Sequence, residues 1–176
     1  MPTVSAVGSL REDLPPLDFL IPDQFYDRTK LRVSTFFGDG VVVHIAFADP
    51  VCPEIARVMH GACAEAGVVG KLGGTYVCIE GPQFSTKAEA QLYRSWGAAL
   101  IGMTALPEAK LAREAEICYA TMNLVSDYDT WQHRLEEQVS VELILKNVRQ
   151  NIHNAKAIIK KAVAALPAQR SCECAY

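Results

Sequence analysis

Asp127 and Asp129 stand two residues apart, directly after the largely apolar run from Ile117 to Val125. That run is long enough for one buried strand. If the extended geometry continues, side chains alternate with a period of two and both carboxylates project to the same side. In an open parallel sheet, the space beyond the carboxyl end of a strand is where ligands bind. Two carboxylates on one side repel, so a ligand there must hold them ionised or share a proton with them. A purine edge, with its ring nitrogen and exocyclic amine, meets either demand. The same spacing is also that of a surface turn with two solvated aspartates.

The surrounding elements supply two further groups at strand ends. Thr75 to Ile79 reads as a strand, and Glu80-Gly81-Pro82-Gln83-Phe84-Ser85-Thr86 as a strand-to-helix turn rich in ligand-capable groups. Thr86 with Glu89 fits a capping box that opens a helix through Trp96. Ala98 to Met103 is a short buried strand, Thr104 starts the loop after it, and Pro107 begins a helix to about Glu116. Phe84/Ser85, Met103/Thr104 and Asp127/Asp129 therefore converge as strand ends on one crevice.

Elsewhere, Ser5 to Leu10 has the pattern of a strand end and its turn, and Asp18 to Pro22 that of a short strand. Asp23 to Asp39, with Arg28, Lys30 and Arg32, reads as a long loop, and Val41 to Phe47 as a β-branched strand containing His44. Pro53 to Ala66 has helical spacing with Gly67 as its stop. Val139 to Leu166 carries apolar residues at Ile144, Val148, Ile152, Ala155, Ile159, Val163 and Leu166, the stripe of a long amphipathic helix. The alternation predicts an α/β fold, a three-layer-like mixed β-sheet flanked by helices, over residues 1–166, followed by a flexible tail over 167–176.

At 176 residues, half of them apolar, the chain can bury the core of one domain. A net charge of -3 offers no basic surface for nucleic acid. No apolar run reaches a membrane span and no secretory pattern opens the sequence, so the expected location is cytoplasmic. Cys52, Cys63, Cys78 and Cys118 lie in apolar stretches, as small buried thiols do. No cysteine pair has zinc-ligand spacing backed by histidines, which argues against a metal site. Cys172-Glu173-Cys174 is an exposed dithiol candidate, either two reduced thiols or a disulfide or redox handle.

Gly73 to Thr86 resembles the signature of trimeric purine nucleoside phosphorylases. Ser126-Asp127-Tyr128-Asp129-Thr130-Trp131, Ile101 to Thr104, Pro22 to Thr29 and Ser5 to Leu10 resemble the methylthioadenosine phosphorylase branch. The resemblance implies a nucleoside phosphorylase fold and a pentosyltransferase that cleaves 5'-methylthioadenosine with phosphate as co-substrate and without a cofactor. By similarity, Asp127 would face purine N7 and Asp129 the 6-amino group. Phe84 and Ser85 would lie at the base, Tyr128 beside it, and Gly102 and Met103 at the ribose. Ser5, Ala6 and Thr104 would touch phosphate, and Val141, Ile144 and Leu145 would line a methylthio pocket. His44 would reach the active site of a neighbouring subunit in a homotrimer or homohexamer. Gly102 stands where some relatives carry Asn, so backbone or water is expected to replace that hydrogen bond.

On the same resemblance, the sequence opens where relatives are about a third complete. The first strands, a glycine-containing phosphate loop and an Arg-His pair would precede it, making this an N-terminally truncated form of the fold. A broader purine nucleoside phosphorylase acting on adenosine or inosine, and a non-catalytic fragment that binds purine or joins homologous trimers, fit the same residues.

Overall fold

The computed structural model describes residues 1–131 and 141–174, the side chains of Val141 and Leu143 excepted. Strands are β1 (Pro2–Ser9), β2 (Phe19–Ile21), β3 (Gln24–Arg28), β4 (Gly70–Leu72), β5 (Thr75–Ile79), β6 (Ala98–Gly102) and β7 (Ala120–Asp127). Helices are α1 (Pro53–Glu65), α2 (Lys87–Ser95), α3 (Ala105–Glu114) and α4 (Val141–Ala164), with a 3-10 turn over Asp129–Trp131. The strands form one mixed sheet in the order β3-β5-β6-β1-β7-β2-β4. Among the described residues, no helix is long and apolar enough to cross a membrane.

β7 is buried along its whole length, and its period-two alternation organises the layers. Ala120, Met122 and Leu124 pack with α1 and α4, while Val125 packs with α3 and with Val7, Tyr76 and Leu100. This is the layered α/β arrangement expected of the sequence. β1 is a full strand rather than a strand end. It runs parallel to β7 from Pro2 opposite Ala120 to Val7 opposite Val125, and a bulge then sets Gly8 opposite Asp127. On its other side Gly8 and Ser9 pair antiparallel with Ile101 and Leu100.

Three expectations are corrected. The predicted loop from Asp23 contains β3, an edge strand parallel to β5. The predicted strand Val41–Phe47 is irregular, with His44 exposed. Its β-branched residues suit a pleated surface, but among the described residues no strand pairs with them, and propensity alone does not make a ladder. The buried stripe of α4 also differs from the predicted one. Asn151, Ala155, Ile158 and Ala162 face inward, whereas Ile152 and Val163 are exposed.

The tail departs from its predicted solvent exposure as well. Cys174 is buried in the α1–α4 core and Cys172 packs against it. Ser171 donates to the Glu54 carboxylate and Arg170 to the Glu116 carbonyl, so polar anchors hold the segment down.

Candidate active site

A cavity of about 280 Å³ opens where β1, β5, β6 and β7 end. Its wall includes Phe84, Ser85, Met103, Thr104, Asp127 and Asp129, so all three predicted strand ends meet. The sheet order explains the meeting, because β1 lies between β6 and β7 and brings their carboxyl ends to one rim.

β7 stops at Asp127, and Asp129 turns into the 3-10 segment with φ +50°. This left-handed conformation is one that Asp adopts more readily than most residues. The two carboxylates therefore share the cavity through a turn, not through continued strand alternation. The Asp129 N–H donates to Asp127 Oδ1 at 2.8 Å, and Ser126 Oγ donates to Oδ2 at 2.6 Å. Ser85 Oγ donates to Asp129 Oδ2 at 2.6 Å. Burial pushes the Asp127 carboxyl above its usual range, with the Ser126 and Asp129 hydrogen bonds opposing it. Burial likewise raises Asp129 to about 6, against the Ser85 bond and with help from the Asp127 charge. Near neutrality, the pair can exchange one proton with a ligand edge.

The turn itself is tied down. Trp131 Nε1 donates to the Ser9 carbonyl at 2.7 Å, and the Arg94 guanidinium lies 3.6 Å from the indole centroid. Asn147 and Asn151 of α4 donate to the Ser126 and Val125 carbonyls at 2.7 and 3.0 Å. These carbonyls at the end of β7 thus gain partners from a helix, as buried polar groups require. Gly8 is needed opposite them, since a Cβ there would come within 3.2 Å of Asp127 Oδ1 and of Asp129 Cβ.

Ser5 does not itself line the cavity but backs Thr104, which does: Ser5 Oγ and Thr104 Oγ1 are 2.6 Å apart, and the Tyr76 hydroxyl lies 3.5 Å from Thr104 Oγ1. Gly102 leaves room for that tyrosine, because a Cβ at 102 would overlap its hydroxyl. The volume of a side chain absent from β6 is thus filled from β5. Arg32 fixes the same rim from outside. Its guanidinium donates to the carbonyls of Ile79 (3.2 Å), Glu80 (2.9 Å), Met103 (2.6 Å) and Leu106.

Ala6, Gly102 and Ile144 also line the cavity. Tyr128 does not: it packs edge-on against Trp131. Leu145 is exposed and His44 lies in the irregular segment; neither lines the cavity. The Val141 side chain lies outside the described residues. Tyr76, Gly8, Arg32, Asn147 and Asn151 went unidentified in the sequence, although the two glycines on strands hint at close approach.

Residues 3–164 match the phosphorylase superfamily. The chain belongs to this superfamily. It is similar to the S-methyl-5'-thioadenosine phosphorylase of Koribacter versatilis, with 60% identity over 98% of this chain and 59% of the relative. The corresponding protein of Geobacter sulfurreducens is 54% identical over 98% of this chain and 60% of its own length. A crystal structure of methylthioadenosine phosphorylase from an antarctic soil metagenomic library superposes with a TM-score of 0.90 at 52% identity, covering 99% of this chain and 62% of that one. Methylthioadenosine phosphorylase from Schistosoma mansoni in complex with adenine gives 0.90 at 32% identity, covering 96% and 66%. The chain spans about three fifths of the length of the curated relatives it matches.

Proposed function

We propose that this chain carries the purine half of a methylthioadenosine phosphorylase site, in a cytoplasmic protein. The reaction is phosphorolysis of 5'-methylthioadenosine to adenine and 5-methylthioribose 1-phosphate. The single observation that carries the reading is the buried Asp127/Asp129 pair in one cavity, with burial raising both carboxyls. A leaving adenine must gain a proton at N7, and a carboxyl raised toward neutrality can supply one. The other carboxylate accepts from the 6-amino group. A site built to bond a donor amine rejects a 6-oxopurine, whose carbonyl leaves an acceptor facing an acceptor. Determination of a similar fold with adenine supports the base assignment.

Ser5, Ala6 and Thr104 form the phosphate side, Gly102 and Met103 the ribose side, and Phe84 the purine face. Ile144 forms the methylthio side, and Tyr128 acts beside the base through the turn it packs on.

Adenine release from methylthioadenosine, measured with and without phosphate, tests the reaction. Phosphate-dependent release that exceeds release from inosine is the expected result. Faster cleavage of inosine overturns the adenine-edge assignment.

One observation favours a second reading. Among the described residues, no cationic side chain lines the cavity, so nothing there neutralises an anionic nucleophile. Adenine binding without turnover would identify a purine-binding half that needs charge from elsewhere. The exposed segment with Leu31 at 91%, Val42 at 77% and Val33 at 73% accessibility suits burial against another subunit. We assign it to a homotrimer or homohexamer contact that places His44 at a neighbouring site. Light scattering that finds monomers alone would remove that contact.

A further inference from the structure

Four of the six cysteines come together at the end of the sheet opposite the cavity. Cys52 is the residue before α1, Cys118 precedes β7, and Cys172 and Cys174 arrive from the segment after α4. Their Sγ atoms all lie within 4.8 Å of one another. Cys172 is the hub, with its sulfur 3.3 Å from that of Cys118 and 3.6 Å from that of Cys52. β7 is eight residues long, so about 25 Å of strand separates this cluster from Asp127.

We infer that these four cysteines form a tetrathiolate site for a divalent zinc-type cation, one that fastens the C-terminal segment to the sheet. Sulfurs at zinc distance, about 2.3 Å from a tetrahedral centre, stand about 3.8 Å apart. The Cys172 separations of 3.3 and 3.6 Å fall slightly short of that value, and none in the cluster exceeds 4.8 Å. All six cysteines are free thiols, and Cys63 and Cys78, each buried apart from the cluster, show what merely packed cysteines look like here.

The ligands come from three separate places in the chain, and each is held independently. Cys52 is fixed as the N-cap residue of α1, and its own N–H donates to the Tyr119 carbonyl. Cys172 and Cys174 are delivered by the Ser171–Glu54 and Arg170–Glu116 anchors. Binding releases up to four protons as Zn²⁺ replaces them on sulfur. The complex carries two negative charges, and the adjoining cavity mixes Arg57 and Arg113 with Asp49, Glu54 and Glu173. Four protein ligands leave no open position, so the site is structural. The sequence-based expectation of no metal is reversed because ligand pairing here depends on folding, not on C-x-x-C spacing.

The test uses the full chain, purified under reducing conditions without chelator. Metal analysis should find about one zinc per chain, and Co²⁺ exchanged into the site should give the strong visible bands of a tetrahedral tetrathiolate. The double variant Cys172→Ser/Cys174→Ser changes only the docked tail. It should lose the zinc, keep the far-ultraviolet dichroism of the parent, and become protease-sensitive between Pro167 and Cys174. Six titratable thiols that take up neither zinc nor cobalt would overturn the proposal. So would a metal-free chain whose four clustered cysteines are joined as disulfides and, once reduced, bind no zinc.

Discussion

The end of β7 and the segment from Leu31 to Ile45 make opposite use of their side chains. Around Asp127 and Asp129, polar groups are buried and answered from within the chain, by Ser85, Ser126, Asn147 and Asn151. Along Leu31–Ile45, apolar groups are exposed and unanswered, although Arg32 in their midst is fully engaged with four carbonyls. Apolar burial and polar satisfaction are separate requirements. The first region meets both internally, while the second meets only the polar one and leaves its apolar surface exposed.

The contrast can be broken most severely at Arg32. Arg32→Ala leaves four carbonyls at the ends of β5 and β6 without their donor, and should lower unfolding free energy by about 3–4 kcal/mol in urea titration. Arg32→Lys should restore little, because an ammonium cannot match the planar fork. A loss under about 1 kcal/mol would show that the rim holds itself.

Acidity sharpens the other side of the comparison. Asp129 holds its proton up to about 6 when folded, against an ordinary 3.8. Between those values the folded state binds more protons, so stability from this group is full below about pH 4 and is lost as pH rises through 6. The difference is about 3 kcal/mol. In Asp129→Asn, the decline from pH 4 to 7 should shrink to the part that the raised Asp127 carboxyl contributes. A parallel decline in parent and variant would mean that Asp129 is ordinary.

Removing one helix donor has a smaller effect. Asn151→Ala leaves the Val125 carbonyl with the Leu17 N–H as its remaining donor, and also deletes the amide oxygen, which has no partner among the described residues. A loss of roughly 1–2 kcal/mol is expected in urea titration, with weaker adenine affinity in calorimetry because Asp127 is positioned through β7. The smallest effect on folding comes from the exposed segment. Val33→Asp with Val42→Asp should alter the stability of one subunit by under about 0.5 kcal/mol, yet abolish association in light scattering. A large folding defect would place those residues in a core of this chain.

What the sequence showed was local. The Thr86/Glu89 capping box forms as its spacing predicts, and the aspartate pair is legible because two residues and one strand end define it. What it hid depends on distant partners. Arg32 binds carbonyls 47 to 74 residues away. Asn147 and Asn151 interrupt an apolar pattern because they serve backbone acceptors, so a stripe traced through apolar residues alone is offset from the buried face of α4, sharing Ala155 with it and carrying Ile152 and Val163 to the surface. The Val41–Phe47 run has the composition of a strand and no neighbour to pair with. The cysteine cluster unites residues from three separate stretches of chain.

The close fit of Gly102 beneath the Tyr76 hydroxyl imposes an order on sequence change. Positions on adjacent strands that share one volume cannot be enlarged independently. A lineage that acquires a side chain at 102 before reducing 76 passes through a clash, whereas shrinking Tyr76 first passes through a cavity, which is survivable. The two positions therefore behave as one evolving unit with a preferred direction of traffic, and a library randomised at 102 alone should return glycine almost exclusively.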